Sequence, residues 1–397
     1  MGVESGGEPI DMTSAAYDWR DCDISDLCQL QRGFDLTEAT REPGSVPVYS
    51  SSGISYFHSK AKLHPPAVIT GRKGQLGRVF FVEEPCWPHD TTLWVKDFKG
   101  NDPKFVSIVL TAFRLERFDA ATSVPTLNRN NLIGHPIRIP SPPEQRVIAN
   151  ALSDVDALLD GLEQLIAKKR DLKQAAMQQL LTGQTRLPGF HDEWKIRHLG
   201  DCLRFLKNGV NSRAELTGDG AVKYLHYGDI HISGQVRLDV RIASMSSLPK
   251  ERACRLDRLE DGDVVFVDAS EDLAGVGKSV ELTGVSNNEV VAGLHTIAAR
   301  FDKTILADGF KAWLQFCPAF REQLLRLAAG TKVYATTRTH IASIEMLLPS
   351  VKEQAAIAAV LSDMDAELSA LEARRDKTRD IKQAMMQELL TGRIRLV

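Results

Sequence analysis

The chain contains a long internal repeat. Residues 140–187 and 349–396 align without a gap at a shift of 209 positions. Glu144-Gln145 in the first copy falls on Glu353-Gln354 in the second, and both copies end on the motif L-L-T-G. Chance does not produce this agreement, so the chain is built from two related modules.

Each copy carries the signals of one long helix. An S-x-x-E capping box is expected to satisfy the amides of the first turn, and Pro142 suits a first helical position. The helix should end at the glycine of L-L-T-G, in a left-handed C-cap. Roughly 40 residues at 1.5 Å each give a rod on the order of 60 Å. The predicted capping pairs are Ser141 with Glu144 and Ser350 with Glu353, and the predicted C-cap residues are Gly183 and Gly392.

The apolar residues of both copies recur at steps of four and three, which is the a/d spacing of a coiled coil. We therefore expect each helix to pack against the other copy, with a polar interruption near Lys169, Lys173 and Arg375. The alternative is that both are surface helices of separate globular domains. The seam residues are Ile148, Leu152, Val155, Leu159, Leu162 and Ile166 in the first copy and Ile357, Leu361, Met364, Leu368 and Leu371 in the second.

The segments before the two helices correspond more loosely. Both open on an acidic residue and tryptophan, at Asp18-Trp19 and Glu193-Trp194, and then turn loop-rich with short apolar runs. Strands are predicted at 67–69, 79–82 and 264–267, and helical stretches at 105–117 and 309–327. The predicted fold class is α+β, with mixed α/β domains at 1–139 and 188–348 and helical regions at 140–187 and 349–397.

The first module contains a basic stretch without acidic residues, between Lys60 and Arg78. Its glycines lie beside cations on a predicted turn between strands, where the backbone can approach a phosphate and arginine can grip guanine. The alternative is a solvated basic hairpin with no ligand. The candidate DNA-binding residues are Lys60, Lys62, Arg72, Lys73 and Arg78.

A second acid-free segment precedes each helix, at 123–138 and 327–344. Equivalent positions that avoid negative charge in an acidic protein suit loops that face phosphates. The alternative is a pair of neutral seams packed against the helices. The candidate residues are Asn128 and Arg129 in the first segment and Lys332, Tyr334, Thr337 and Arg338 in the second.

The composition narrows the class of protein. A net charge of −3 argues against non-specific coating of nucleic acid, and six scattered cysteines without a C-x-x-C pair argue against zinc or disulfides. No apolar run approaches the roughly 18 residues that span a bilayer. The start of the chain lacks the basic and apolar regions of a signal peptide, so a cytoplasmic location is expected.

The segment Gly275-Val276-Gly277-Lys278-Ser279 resembles the end of a phosphate-binding loop, but the required first glycine is Asp272. A carboxylate there would repel phosphates, so nucleotide binding is not expected. Lys278 is instead a candidate DNA contact or a surface lysine. Catalytic motifs such as G-x-S-x-G and H-E-x-x-H are missing, and the chain is expected to carry no catalytic or metal site.

Two helices that open with P-x-x-x-E-Q and close with L-L-T-G, each after a domain beginning near a tryptophan, resemble the conserved regions of type I restriction–modification specificity subunits. The resemblance implies a pseudo-two-fold molecule with the helices packed antiparallel and one target-recognition domain for each half of a split DNA site. The helices would set the spacer and dock two methyltransferase subunits. These partners would supply S-adenosylmethionine, and restriction subunits would add ATP- and Mg-dependent translocation and cleavage. This chain would need no cofactor of its own.

Two other classes remain open at this point. A solitary DNA-binding regulator would bind its site without a partner. A coiled-coil scaffold would have no role with nucleic acid, and charge reversal at Arg72, Lys73, Arg129 and Arg338 would then change nothing. The acid-free segments favour DNA over the scaffold, and the long seams favour a protein partner over the solitary regulator.

Overall fold

The structure is a computed structural model, which describes residues 10–12, 19–119, 124–218, 220–285, 289–328 and 333–396. The chain divides into two compact units. Unit 1 comprises Met1–Gln164 and Glu372–Val397, and unit 2 comprises Leu165–Leu371. The end of the chain therefore belongs to the same compact unit as its beginning.

Unit 1 is a mixed α/β structure, as the sequence predicts. Its strands are β1 (Arg20–Asp23), β2 (Gln29–Arg32), β3 (Val46–Ser50), β4 (Gly53–His58), β5 (Ala67–Gly71), β6 (Val79–Val82), β7 (Trp87–Pro88), β8 (Thr92–Asp97) and β9 (Pro136–Ile139). Its helices are α1 (Ile24–Leu27), α2 (Pro103–Ala112), the first part of α3 (Pro142–Leu180) and the second half of α8 (Val351–Leu390).

The strands found among the described residues of unit 1 form three sheets. Four strands lie in the order β2-β8-β5-β6, three in the order β4-β3-β7, and β1 pairs with β9. Helix α2 covers the β5–β6 side of the larger sheet. Buried apolar residues of α2, the sheet and both long helices form one core, so α2 fixes the sheet against the helical region.

Unit 2 repeats this architecture with additions. Its strands are β10 (Lys195–His198), β11 (Leu203–Leu206), β12 (Val222–Leu225), β13 (Arg237–Asp239), β14 (Ser247–Leu248), β15 (Val264–Val267), β16 (Ala269–Ser270), β17 (Ser279–Thr283), β18 (Val290–Ala292), β19 (Thr296–Phe301), β20 (Tyr334–Ala335) and β21 (Glu345–Leu348). Its helices are the rest of α3, α4 (Tyr227–Ile232), α5 (Lys250–Ala253), α6 (Pro318–Leu327), α7 (Arg338–Ala342) and the first half of α8 (Val351–Leu390).

The sheet order of unit 2 matches that of unit 1. Strands β11-β19-β15-β17 correspond to β2-β8-β5-β6, with β13 added at the edge, and β14-β12-β18 corresponds to β4-β3-β7. The pairings agree as well, since β3 and β12 each have one antiparallel and one parallel neighbour. The two modules thus share one fold, although their interiors show little similarity in sequence.

The two long helices have the length that the repeat predicts, with 39 residues in α3 and 40 in α8. All of the predicted seam positions of both helices are buried or half-buried. Gly183 and Gly392 follow the helices with φ of +72° and +65°, which confirms the predicted left-handed caps.

Ion pairs join the two helices inside each unit. In unit 1, Lys382 Nζ lies 2.5 Å from a carboxylate oxygen of Asp156. In unit 2, Lys169 Nζ lies 2.7 Å from Glu367, and Lys173 pairs with Asp365. The lysines that interrupt the apolar seam therefore meet carboxylates of the other helix, which satisfies the polar stretch and fixes the register.

The predicted capping boxes are wrong in their glutamates. The Glu144 carboxylate pairs with Arg395, whose terminal nitrogen lies 2.8 Å away, and the Glu353 carboxylate accepts two bonds from Arg186 at 2.5 and 2.6 Å. Both glutamates are almost fully buried, so a charged partner stabilises them more than the helix amide would. The serine half of the box persists at Ser350, whose hydroxyl accepts from the Glu353 amide at 3.4 Å.

The glutamine of each E-Q motif ties its helix to the preceding domain. Gln145 donates to Asn101 at 2.8 Å and accepts from the Asp102 amide at 2.9 Å. Gln354 donates to the Ile305 carbonyl at 2.8 Å and accepts from the Ala307 amide at 2.9 Å. Both side chains are buried, so the motif is explained by the anchoring of the helix start.

The strands predicted at 67–69, 79–82 and 264–267 are confirmed, but the two predicted helical stretches are interrupted. The first ends as an α-helix at Ala112, after which Arg114 takes φ of +55° and a 3-10 turn follows. The second is a 3-10 turn followed by α6, because Pro318 begins a new helix and removes the donor that continuity requires.

The six cysteines are free thiols. Cys28, Cys86, Cys202 and Cys317 are buried, and burial raises the pKa of Cys28, Cys86 and Cys317 to about 12. A thiol with so high a pKa is almost entirely protonated at neutral pH and is unreactive.

Gly183→Ala is expected to destabilise unit 2 by about 1–2 kcal/mol. The alanine would have to adopt the left-handed backbone conformation of Gly183, and its Cβ would lie 3.2 Å from the Trp194 ring. Gly161→Ala is the matched control. Gly161 lies inside α3 with open space around it, so alanine should stabilise the chain by about 0.5–1 kcal/mol. Urea unfolding of both variants checks the pair, and equal effects of the same sign would contradict the assigned cap.

Candidate nucleic-acid interface

The basic stretch of unit 1 forms a hairpin between β5 and β6, as the sequence predicts. Gly74 and Gly77 take φ of +86° and +84° at its turn. A side chain on Gly71 would lie 1.9 Å from the Gln75 carbonyl, so only glycine fits there. The glycines thus shape the turn itself, and the cations between them are held on a tightly folded loop.

The hairpin and the second acid-free segment lie side by side. The Gly74 amide donates to the Pro125 carbonyl at 2.9 Å, and the Leu127 amide donates to the Arg72 carbonyl at 2.8 Å. Lys73 pairs with Thr126 in an isolated bridge. Two stretches that the sequence presents separately therefore form one surface in unit 1, which we call the hairpin–loop surface (residues 71–78 and 124–132).

Arg72 is a largely buried cation of this surface, with 16% of its side chain accessible. Its Nε donates to the Asp90 carbonyl at 2.9 Å, and burial lowers its pKa below the ordinary value. Arg32 lies beside it and bonds the Asp90 carboxylate at 2.9 Å. Asp90 and Arg32 fall outside the acid-free stretches, so sequence reasoning missed this support.

The other basic side chains of the hairpin region differ in their exposure and in the contacts that hold them. Lys73 is exposed, whereas Arg78 donates to the Ser52 carbonyl at 3.0 Å. Lys60 is exposed beside Glu42 at 3.2 Å, and Lys62 lies 4.9 Å from the centre of the Trp87 ring. Exposed ion pairs and cation–π contacts are weak, so Lys60, Lys62 and Lys73 can turn toward a phosphate at little cost.

Unit 2 contains an equivalent loop. Strand β20, which includes Tyr334, pairs with β16, and the Thr337 hydroxyl caps α7 by accepting from the His340 amide at 3.2 Å. In unit 1 the Asn128 side chain does the same for a 3-10 turn and accepts from the Asn130 amide at 3.0 Å. Lys332 lies outside the described residues.

Arg129 and Arg338 make the same contact in their two units. Arg129 donates to the Leu30 carbonyl at 3.0 Å, and Arg338 donates to the Leu206 carbonyl at 2.8 Å. Both carbonyls belong to the edge strand of the larger sheet. Each arginine thus fastens its loop to the sheet, a structural role that a count of cations does not reveal.

Lys278 is held by backbone carbonyls. Its Nζ donates to His231 at 2.7 Å and to Ser233 at 3.1 Å, and burial lowers its pKa. Asp272 accepts from the Gly275 amide at 2.6 Å, so the carboxylate occupies a backbone donor of the glycine-rich turn. A phosphate-binding loop needs such amides free to donate to a phosphate, with no carboxylate beside them. The position of Asp272 therefore agrees with the interpretation of this segment from the sequence.

In the described parts of the chain, no three His, Cys, Asp or Glu side chains are grouped to hold a metal ion. Across the same residues, no helix is both long and apolar enough to cross a membrane.

The family described as the type I restriction modification DNA specificity domain matches residues 17–170. The chain is 23% identical to the type I restriction enzyme MjaVIII specificity subunit of Methanocaldococcus jannaschii, over 74% of this chain and 70% of that protein. It is 26% identical to the type I restriction enzyme EcoKI specificity subunit of Escherichia coli K12, over 56% of this chain and 49% of that protein.

The fold has a close structural counterpart. The S subunit of a type I restriction–modification system from M. genitalium superposes with a TM-score of 0.63 at 15% identity, over 94% of this chain and 96% of that chain. Specificity subunits are non-catalytic members of their enzymes, in agreement with the sequence interpretation. Residues 17–170 thus match the type I restriction modification DNA specificity domain, and the chain is similar in sequence to type I restriction enzyme specificity subunits and in fold to an S subunit.

Proposed function

We propose that the chain is the DNA-recognition subunit of a type I restriction–modification complex and that each unit reads one half of a bipartite target. The observation that carries this proposal is the repetition of one fold in both units, each with the same loop fastened beside the same strand. Two copies of a reading surface on one chain suit a target with two specific halves.

The candidate DNA-contacting residues differ in whether the fold already holds their side chains. Lys60, Lys62 and Lys73 are exposed and suit phosphates, whereas Arg72 is held in a fixed orientation and suits a base edge. Arg129 and Arg338 keep guanidinium nitrogens beyond those on the strand carbonyls, so a phosphate contact is compatible with their structural role.

The long helices are proposed to pack as an antiparallel coiled coil that sets the unread spacer. Support comes from the ion pairs between α3 and α8 inside each unit and from the shared seam. Two methyltransferase subunits would dock on the helices and bring S-adenosylmethionine, and restriction subunits would bring ATP and Mg. The chain itself supplies recognition in the cytoplasm, without a cofactor.

Insertion of one heptad into both helices, after Gln164 and after Leu371, is expected to lengthen the unread spacer by about three base pairs. Seven residues add about 10.5 Å of helix, and one base pair of DNA rises about 3.4 Å. The readout is the map of N6-methyladenine in a host that expresses the variant with its methyltransferase subunits.

A heptad in α3 alone is the control, because it displaces the seam of one helix against the other and should abolish methylation. An unchanged spacer in the double insertion, from an intact complex, would contradict the proposed spacer role. Methylation without any split motif would favour a scaffold whose reading surfaces do not select DNA.

A further inference from the structure

Arg72 and Asp268 occupy equivalent positions in the two units. Each directly follows the first strand of a hairpin, β5 in unit 1 and β15 in unit 2. The Arg72 carbonyl accepts from the Leu127 amide at 2.8 Å, and the Asp268 carbonyl accepts from the Thr336 amide at 2.7 Å. Leu127 and Thr336 correspond at the repeat shift of 209.

The amides of the same two residues complete the equivalence. The Arg72 amide donates to the Thr91 carbonyl at 2.8 Å, and the Asp268 amide donates to the His295 carbonyl at 3.2 Å. Thr91 and His295 each stand directly before the neighbouring strand, β8 or β19. The backbones therefore match on both sides, while the side chains carry opposite charges.

Both side chains are held by neighbours and remain partly accessible. Arg72 is fixed by the Asp90 carbonyl, and 30% of the Asp268 side chain is exposed beside His295, with Oδ1 and Nδ1 3.2 Å apart. His295 takes φ of +54°, an uncommon conformation for a residue with a side chain, and its ring meets the Tyr227 ring edge-on at 5.4 Å.

A second observation points to a ligand in unit 2. The Thr336 hydroxyl is buried in the loop that bonds Asp268, and it has no hydrogen-bond partner among the described residues. Buried polar groups usually find a partner, and strained residues concentrate at functional sites. The Asp268 region thus has the features of a binding surface. The pattern of basic residues in the sequence does not indicate it, because Asp268 is acidic.

We propose that Arg72 and Asp268 are the base-selecting side chains of the two units, with Arg72 selecting guanine and Asp268 selecting cytosine. A guanidinium donates to the O6 and N7 acceptors of guanine, whereas a carboxylate accepts from the N4 amino group of cytosine. The same carboxylate disfavours guanine and thymine, which present acceptors there. This inference rests on the proposed function, and it makes the two half-sites chemically different at equivalent positions.

The test is a map of N6-methyladenine for complexes with Asp268→Asn and with Arg72→Gln. We expect Asp268→Asn to change one position of one half-site from cytosine toward adenine, because an amide pairs with the adenine edge. Arg72→Gln should relax a guanine in the other half-site only. Asp201→Asn, an exposed acid elsewhere in unit 2, is the control and should leave the motif unchanged.

A measurement on the unmodified complex keeps the test independent of folding. Placing 7-deazaguanine in the unit 1 half-site and N4-methylcytosine in the unit 2 half-site should each weaken binding about tenfold. If neither variant changes the motif, or if DNA with the base analogues binds as tightly as unmodified DNA, the base assignments are wrong. The proposal of a split target would not be affected by that result. A complex that binds no split target at all would instead overturn the proposed function.

Discussion

Arg395→Ala is expected to destabilise unit 1 by about 3 kcal/mol. The substitution leaves the Glu144 carboxylate without its arginine in a position where only 3% of the side chain is exposed. Burying a charge without a partner is costly, and Trp19 loses the guanidinium over its ring at the same time. Amide hydrogen exchange in β9 and the start of α3 should therefore accelerate roughly 100-fold.

The control for this variant is Arg379→Ala, which removes an exposed ion pair with Glu163 in the same unit. Such pairs contribute about 1 kcal/mol or less, so exchange should change several-fold at most. Equal effects of the two variants would contradict a structural role for the buried pair. Acceleration in unit 2 as large as in unit 1 would contradict the assignment of Arg395 to unit 1.

Lys60→Glu, Lys62→Glu and Lys73→Glu combined are expected to lower the affinity of the assembled complex for its DNA about 100-fold at moderate salt. The three lysines are exposed and are not needed to fasten a loop, so the fold should survive their reversal. The dependence of log Kd on log salt should also become shallower by about three. Fluorescence anisotropy over a series of salt concentrations measures both quantities.

The control reverses three exposed lysines elsewhere, Lys168, Lys195 and Lys377, and changes the net charge by the same amount. Each complex is first shown to be intact by gel filtration. If both triple variants lose affinity equally, the effect is one of overall charge and the basic stretch between Lys60 and Arg78 is not the interface. Arg129 and Arg338 are spared, because their reversal would release the loops that they fasten.

The repeat predicted the long helices because their signals are local. Pro142 at the start and glycines at the ends follow from backbone chemistry alone, and the seam follows from spacing. The partners of Glu144 and Glu353 were not predictable in this way, since Arg395 and Arg186 lie far away in sequence. Their signal was present, because both arginines recur at the repeat shift, but only antiparallel packing inside each unit pairs them.

The candidate interface was predictable in part. Charge patterning located the hairpin and the loops, and the structure brings those of unit 1 together. Charge patterning did not separate cations that hold a loop in place, such as Arg129, from cations without such a role, such as Lys73. That distinction depends on backbone carbonyls that are distant in sequence. A search for acid-free stretches also passes over Asp268, whose position becomes informative only through the backbone bonds that match it to Arg72.

The most direct test is to map N6-methyladenine genome-wide in a methylation-free host that expresses this chain with its methyltransferase subunits. The proposed function predicts one split motif, with two short specific halves separated by a fixed run of unspecified bases. No new methylation from a complex shown to be intact, or methylation at a single undivided motif, would contradict recognition of a bipartite target by the two units.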